Sequence, residues 1–162
     1  MGNGHYERVL ERERNKMKVY EATIADLDGL ADVFNNYRMF YRQKSNVEEA
    51  KVFLRNRIER EESIIFVAVE NGQYLGFTQL YPSFSSISMK ELWILNDLFV
   101  QEGNRGAGIG KKLLEAARTF ALENGAKGLK LQTEIDNISA QRLYAENGYL
   151  RDSRYFHYEL TF

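Results

Sequence analysis

RGAGIGKKLLEAARTFALENG, residues Arg105 to Gly125, is the stretch whose reading decides the fold. Gly106, Gly108 and Gly110 alternate into a segment whose apolar positions Ile109, Leu113, Ala116, Ala117 and Phe120 share one face of a helix. Gly125 fits the residue that ends it. The helix start leaves backbone N–H groups free, and its dipole adds a field that favours an anion. A phosphate-binding P-loop is excluded, because its first glycine would fall at Arg105 and its Ser or Thr at Lys112. A dinucleotide fingerprint fails as well, with Lys111 where the third glycine should stand. On these residues alone, an anion site and a bare strand-to-helix turn account for the glycines equally well.

Outward from the turn, the pattern is that of a mixed α/β sandwich. Lys18–Ala22 alternates as a short strand, and Thr23 with Asp26 forms a capping-box-like start. Leu27, Leu30, Phe34 and Tyr37 then follow at helical spacing. Ser45 with Glu48 predicts a second helix carrying Val47, Lys51, Leu54 and Ile58. Ile64–Glu70 is a buried strand by composition. Asn71-Gly72 signals a hairpin to Tyr74–Tyr81, which Pro82 should stop before the serine-rich loop SFSSIS. Glu91–Val100 reads as a longer strand, Leu129–Ile135 as another, and a short helix near Ser139–Asn147 ends at Gly148. Tyr149–Arg151 and Arg154–Leu160 should close the sheet. The expected order is β-α-α-β-β-β-α-β-α-β-β.

Composition narrows the function. The 162 residues are 44% hydrophobic and 28% charged with a net charge of −1, so a folded domain is expected and no basic field points to nucleic acid. No run is apolar enough to span a membrane, and no signal-peptide core follows Met1. The chain has no cysteine and 2 histidines, which removes thiolate chemistry, leaves a metal centre poorly supplied and fits a cytoplasmic setting. Residues 1–16 are polar, rich in Arg and Glu, and read as a mobile extension; residues 17–162 read as one domain.

Arg105-Gly106-Ala107-Gly108-Ile109-Gly110 resembles the (Q/R)-x-x-G-x-(G/A) signature of the GNAT N-acetyltransferase superfamily. NISAQRLYAENGY, Asn137 to Tyr149, is similar to a second signature of that superfamily, with Asn137, Ala140, Tyr144, Gly148 and Tyr149 in step. LNDLFV, Leu95 to Val100, resembles the polyamine and diamine acetyltransferase branch, although Asn96 stands where that branch often has glutamate. The resemblance covers roughly residues 17–162 and implies a GNAT-like mixed sheet with helices on both faces.

The resemblance also implies roles. Acetyl-CoA would be the cosubstrate, its pyrophosphate held by the amides of Gly106, Ala107, Gly108, Ile109, Gly110 and Lys111, with Arg105 orienting or neutralising it. For the Lys111 and Lys112 side chains, a solvated helix face and phosphate contact stand level. Pantetheine would pair with the backbone of Leu98 and Val100, and an amide at Leu98 or Phe99 would polarise the thioester. Asn137 would cap its helix, bond pantetheine, or both.

Amine acetylation poses two proton problems: the ammonium must lose one, and the leaving thiolate must gain one. Tyr144 matches the family's acid tyrosine. Asp97, an acid inside a strand between Leu95 and Phe99, and Glu134 are candidate bases, each with a plain alternative as a hydrogen-bonded or solvated carboxylate. Tyr37, Tyr41, Tyr81 and Phe84 are candidate walls for the acceptor, able to hold an alkylammonium by cation–π contact. The leading expectation is an N-acetyltransferase for a small primary amine or polyamine rather than protein lysine, with no metal. The alternative is an acyl-CoA-binding sensor without turnover. Family members often dimerise, and the aromatic-rich last strand could pair in a homodimer.

Overall fold

Thr23 and Asp26 set the first helical turn as their spacing predicts. In the computed structural model, which describes residues 16–162, the Thr23 N–H donates to Asp26 Oδ2 at 2.9 Å and the Ala25 N–H donates to Thr23 Oγ1 at 3.3 Å. The Tyr20 and Tyr74 hydroxyls both donate to Asp26 Oδ1, at 2.8 and 2.7 Å. One carboxylate therefore ties strand β1 (Lys18–Glu21) and strand β3 (Gln73–Ser85) to the start of helix α1 (Leu27–Phe40).

Helix α2 (Val47–Glu59) begins one residue later than the sequence suggests. Asn46 is its cap, accepting from the Glu49 N–H at 3.1 Å. Ser45 instead accepts from Asn35 Nδ2 at 3.0 Å, a bond that the buried Asn35 of α1 needs and local sequence does not reveal.

Strand β2 (Ile64–Glu70) turns into β3 through Asn71 and Gly72, at φ 51° and 75°, as the dipeptide predicts. β3 does not stop at Pro82. It runs on to Ser85 because β2 has ended opposite Leu80, so the missing proline N–H leaves no bond unmade on that side. β4 (Lys90–Val100) pairs antiparallel with β3, and β5 (Leu129–Lys130) pairs parallel with β4. The sheet order is β1-β2-β3-β4-β5.

Two layers cover the sheet. α1 and α2 pack on one face around Leu30, Phe34, Leu54, Ile65, Val67, Phe77 and Phe99. Helix α3 (Ile109–Glu123) covers the other, where its Phe120 meets Phe66 of β2 and Trp93 of β4 edge-on.

The strand expected over Leu129–Ile135 pairs only at Trp93↔Leu129 and Ile94↔Lys130. Residues 133–162 form a second compact unit, built on helix α4 (Ile138–Glu146). The two closing strands expected at Tyr149–Arg151 and Arg154–Leu160 are not formed. Both phases of their alternation are exposed, Tyr155 as much as Phe156 and Tyr158, so no buried face defines a strand there. The expected mobile extension lies outside the described residues, apart from Lys16. Among the described residues no helix is long and apolar enough to cross a membrane.

Candidate functional site

An irregularity in β4 builds the site. Gln79 pairs with Asp97 but the next residue, Leu80, pairs with Leu95, so Asn96 is an extra residue in the strand. Cross-strand partners share a face, and adjacent residues do not. Leu80 and Leu95 therefore face α3, whereas Asp97 joins Gln79 and Phe99 joins Phe77 on the side of α1. This corrects the sequence expectation that Asp97 shares a face with Leu95. The inserted residue turns the carboxylate across the sheet.

There Asp97 is 5% exposed. Gln79 Nε2 donates to its Oδ2 at 2.8 Å and Asn96 Nδ2 to its Oδ1 at 3.1 Å; Tyr37 of α1 adds a third bond. Burial pushes the Asp97 carboxyl above the usual range, and the bonds from Gln79, Tyr37 and Asn96 oppose that rise. Its partners among the described residues are all neutral. Tyr37 is held protonated well above its ordinary range by burial and then by the Asp97 charge. Tyr81 is pushed up to about 12 by the same two causes.

Aromatic rings line this face. Tyr37 meets Tyr41, Phe77 and Phe99 edge-on, at centroid distances of 5.1, 5.6 and 6.0 Å. Phe84 is not brought to them. It lies two residues beyond Pro82, the partner of Trp93, and so belongs to the other face; it is 73% exposed. Phe40, an aromatic of α1 that the sequence also offers for the acceptor wall, stands closer, against both Tyr41 and Phe99.

The end of β4 supplies main-chain groups. Beyond Ile94 the strand has no β5 partner. The Gln101 N–H donates to the Leu75 carbonyl on β3, and amides alternate along an extended strand, so those of Leu98 and Val100 face the open side and that of Phe99 faces β3. The Leu98 main chain and the Val100 amide thus face the open side, while the Val100 carbonyl accepts from Arg105. Of the two amides that the resemblance offers for polarising a thioester, that of Leu98 faces the open side and that of Phe99 is turned to β3.

A short 3₁₀ turn (Glu102–Asn104) leads into the glycine stretch. Gly106 and Gly108 adopt φ 81° and 77°, and a Cβ at either would meet no protein atom, so backbone conformation fixes glycine there. The first helical bond of α3 runs from the Lys112 N–H to the Gly108 carbonyl, which leaves the amides of Ile109, Gly110 and Lys111 outside the ladder. The first turn carries no acidic residue. Such a start suits a phosphate group. Arg105 Nε donates to the Val100 carbonyl at 3.0 Å, and its guanidinium lies over Phe40 and Phe99. Lys111 reaches toward Glu115 at 3.9 Å along the exposed helix face.

The second unit holds the remaining candidates. Asn137 caps α4, accepting from the Ala140 N–H at 3.1 Å, which leaves its Nδ2 for another acceptor. Tyr144 is partly buried and packs against Tyr149 at 5.8 Å. Glu134 is exposed, and its carbonyl accepts from the Asn137 N–H and from Gln141 Nε2. The structure thus gathers Asp97, Tyr37, Tyr41, Tyr81 and Arg105 in one unit, and Glu134, Asn137 and Tyr144 in the other. Sequence reasoning missed Gln79, whose signal was an amide side chain in the middle of the apolar run LGFTQLY.

Free amides at a left-handed glycine turn, an open strand edge and a buried carboxylate on the same strand make up the candidate site. Residues 30–149 match the acetyltransferase (GNAT) family model, and the chain belongs to that family. The uncharacterized N-acetyltransferase YhfO of Bacillus subtilis (strain 168) is 51% identical over 145 residues, 90% of this chain and 97% of that protein. A crystal structure of a probable acetyltransferase, 39% identical, matches at a TM-score of 0.85 over 90% of this chain and 97% of its own. At 16% identity an aminoglycoside N-acetyltransferase solved in complex with CoA shares the fold, with a TM-score of 0.75 over 90% and 95% of the two chains. This chain has the mixed α/β GNAT fold and is an N-acetyltransferase; the family uses acetyl-CoA.

Proposed function

We propose that the acceptor is a primary amine on a small molecule, with polyamines and diamines ahead of protein lysine. The observation that carries this is Asp97, a buried carboxylate with three neutral donors and no cationic partner among the described residues. An alkylammonium would supply the missing charge. Tyr37, Tyr41 and Tyr81 would wall its stem. The likeness of LNDLFV to the polyamine branch supports the same class, and Asn96 departs from it.

Acetyl-CoA fits the residues present. The amides of Gly106–Lys111 with Arg105 would hold its pyrophosphate, Leu98 and Val100 would pair with pantetheine, and Asn137 Nδ2 could add a bond. It supplies the activated acetyl group. Asp97, or Glu134 through a water, takes a proton from the ammonium before the C–N bond forms. Tyr144 would protonate the leaving sulfur, and the second proton that the acylated nitrogen sheds would restore the tyrosine. We read residues 17–162 as one acetyltransferase domain, since the family match runs across both compact units. The exposed aromatics of residues 155–162 support a homodimer, checked by sedimentation.

The test is calorimetric titration with acetyl-CoA, followed by thiol release against spermidine, diamines, amino acids and a lysine peptide. Release driven by a small amine and lost in Asp97→Asn supports the reading. Binding without release across the panel would favour an acyl-CoA sensor, and preference for the peptide would overturn the small-amine assignment.

A further inference from the structure

Asp97 is held from behind by a chain of side chains that crosses β3 and reaches the start of β2. Ser63, just before β2 and 8% exposed, donates from Oγ to Gln79 Oε1 at 2.8 Å. Gln79 is fully buried and donates from Nε2 to Asp97 Oδ2, also at 2.8 Å. A serine hydroxyl can donate or accept, and a glutamine amide can be turned either way. A carboxylate only accepts, so the Gln79 amide must present its nitrogen to Asp97 and its oxygen to Ser63. The chain has one consistent polarity while Asp97 is ionised. A protonated Asp97 with its proton on Oδ2 would face the Nε2 hydrogens.

We propose that Gln79, with the far end of its amide held by Ser63, is a positioning residue that donates to the Asp97 carboxylate and aims it toward the side where Tyr37 and Asn96 stand. This rests on the reading of Asp97 as the group that meets the amine. The groups facing Asp97 are Gln79 and Tyr81 from β3, Asn96 on its own strand and Tyr37 from α1, with Tyr41 behind Tyr37. Arg57 of α2 acts on Tyr81 and is itself paired with Glu62 at 2.6 Å. Gln79 is the donor in this set whose other end is clamped, which is why it sets the geometry. Thr78, beside it, donates to the Asp97 carbonyl at 2.8 Å and fixes the backbone at the same point.

Gln79→Leu removes the donor at similar side-chain size; Ser63→Ala leaves Gln79 in place but removes the bond that holds the far end of its amide. Ser63→Thr keeps the hydroxyl. Each is assayed for kcat/KM against pH with acetyl-CoA and the panel amine that the unaltered protein turns over fastest. The Asp97 carboxyl is also titrated by carbon-13 NMR, assigned through Asp97→Asn, and thermal melts confirm folding. Losing a hydrogen bond to the charged form moves a carboxyl titration upward. The expected result for Gln79→Leu is an upward shift of the Asp97 titration, an acidic limb of kcat/KM that moves with it, and a loss of about tenfold at neutral pH. Ser63→Ala should move both in the same direction by less, and Ser63→Thr should restore them. An unmoved carboxyl titration in both Gln79→Leu and Ser63→Ala overturns the proposal, as does an equal loss of kcat/KM at every pH. Full turnover by Asp97→Asn would sink the acceptor reading instead, and the NMR titration alone would then decide the role of Gln79.

Discussion

Arg105 is anchored to Val100: its Nε donates to the carbonyl of the residue that ends β4, 3.0 Å away. The guanidinium spends one donor on the strand and rests on the Phe40 and Phe99 rings, leaving its terminal nitrogens for an anion. Arg105→Lys keeps the charge but loses the fork that makes both contacts. The KM for acetyl-CoA should rise roughly three- to tenfold in Arg105→Lys and further in Arg105→Ala, with kcat little changed. Unaltered KM values in both variants would remove Arg105 from the cofactor site.

Gly108 caps α3 at φ 77° in open space, so its replacement tests backbone conformation without crowding. Gly108→Ala should lower unfolding stability by about 1–2 kcal/mol in urea titration and weaken acetyl-CoA binding in calorimetry. Binding at full strength in a protein destabilised by that amount would show that the turn serves the fold alone.

Asp26 makes the fold sensitive to acid. Burial would raise its carboxyl, but the Thr23 amide followed by the Tyr74, Tyr20 and Thr23 hydroxyls outweighs burial and holds it below the usual range. In the unfolded chain it titrates near the ordinary value of about 3.9. The stabilisation is therefore complete above that value and is lost as pH falls through the lower, folded one. Asp26→Asn should cost about 1–2 kcal/mol at neutral pH and flatten the acidic decline of Tm. A decline as steep as in the unaltered protein would place the acid-sensitive group elsewhere.

Tyr144→Phe removes only a hydroxyl from α4. If that hydroxyl protonates the leaving thiolate, kcat should fall roughly 100-fold or more while calorimetric affinity for acetyl-CoA stays near its original value. An unchanged kcat would falsify the acid role.

Where local chemistry dictated structure, the sequence was legible. The Thr23–Asp26 cap, the Asn71-Gly72 hairpin and the glycine turn each rest on residues adjacent in the chain, and each formed as expected. Features that depend on a neighbouring strand were not. Pro82 continues a strand because β2 has already ended, and Leu131–Ile135 does not form one because nothing pairs with it. The candidate site divides in the same way. The glycine turn could be read from one motif, whereas the Ser63–Gln79–Asp97 chain joins three segments that only the sheet brings together.

The extra residue in β4 bears on how this chain can change. Deleting Asn96 would leave Leu95 and Asp97 adjacent, each still opposite its partner Leu80 or Gln79, so the strand would become regular and Asp97 would keep its face while losing one of its donors. A descendant with that deletion could keep its core pattern, its glycine turn and the carboxylate beside Tyr37, with Gln79 and Tyr37 as the donors left to it. What the extra residue adds is a donor at the carboxylate, and the face on which that carboxylate sits is set by its pairing with Gln79.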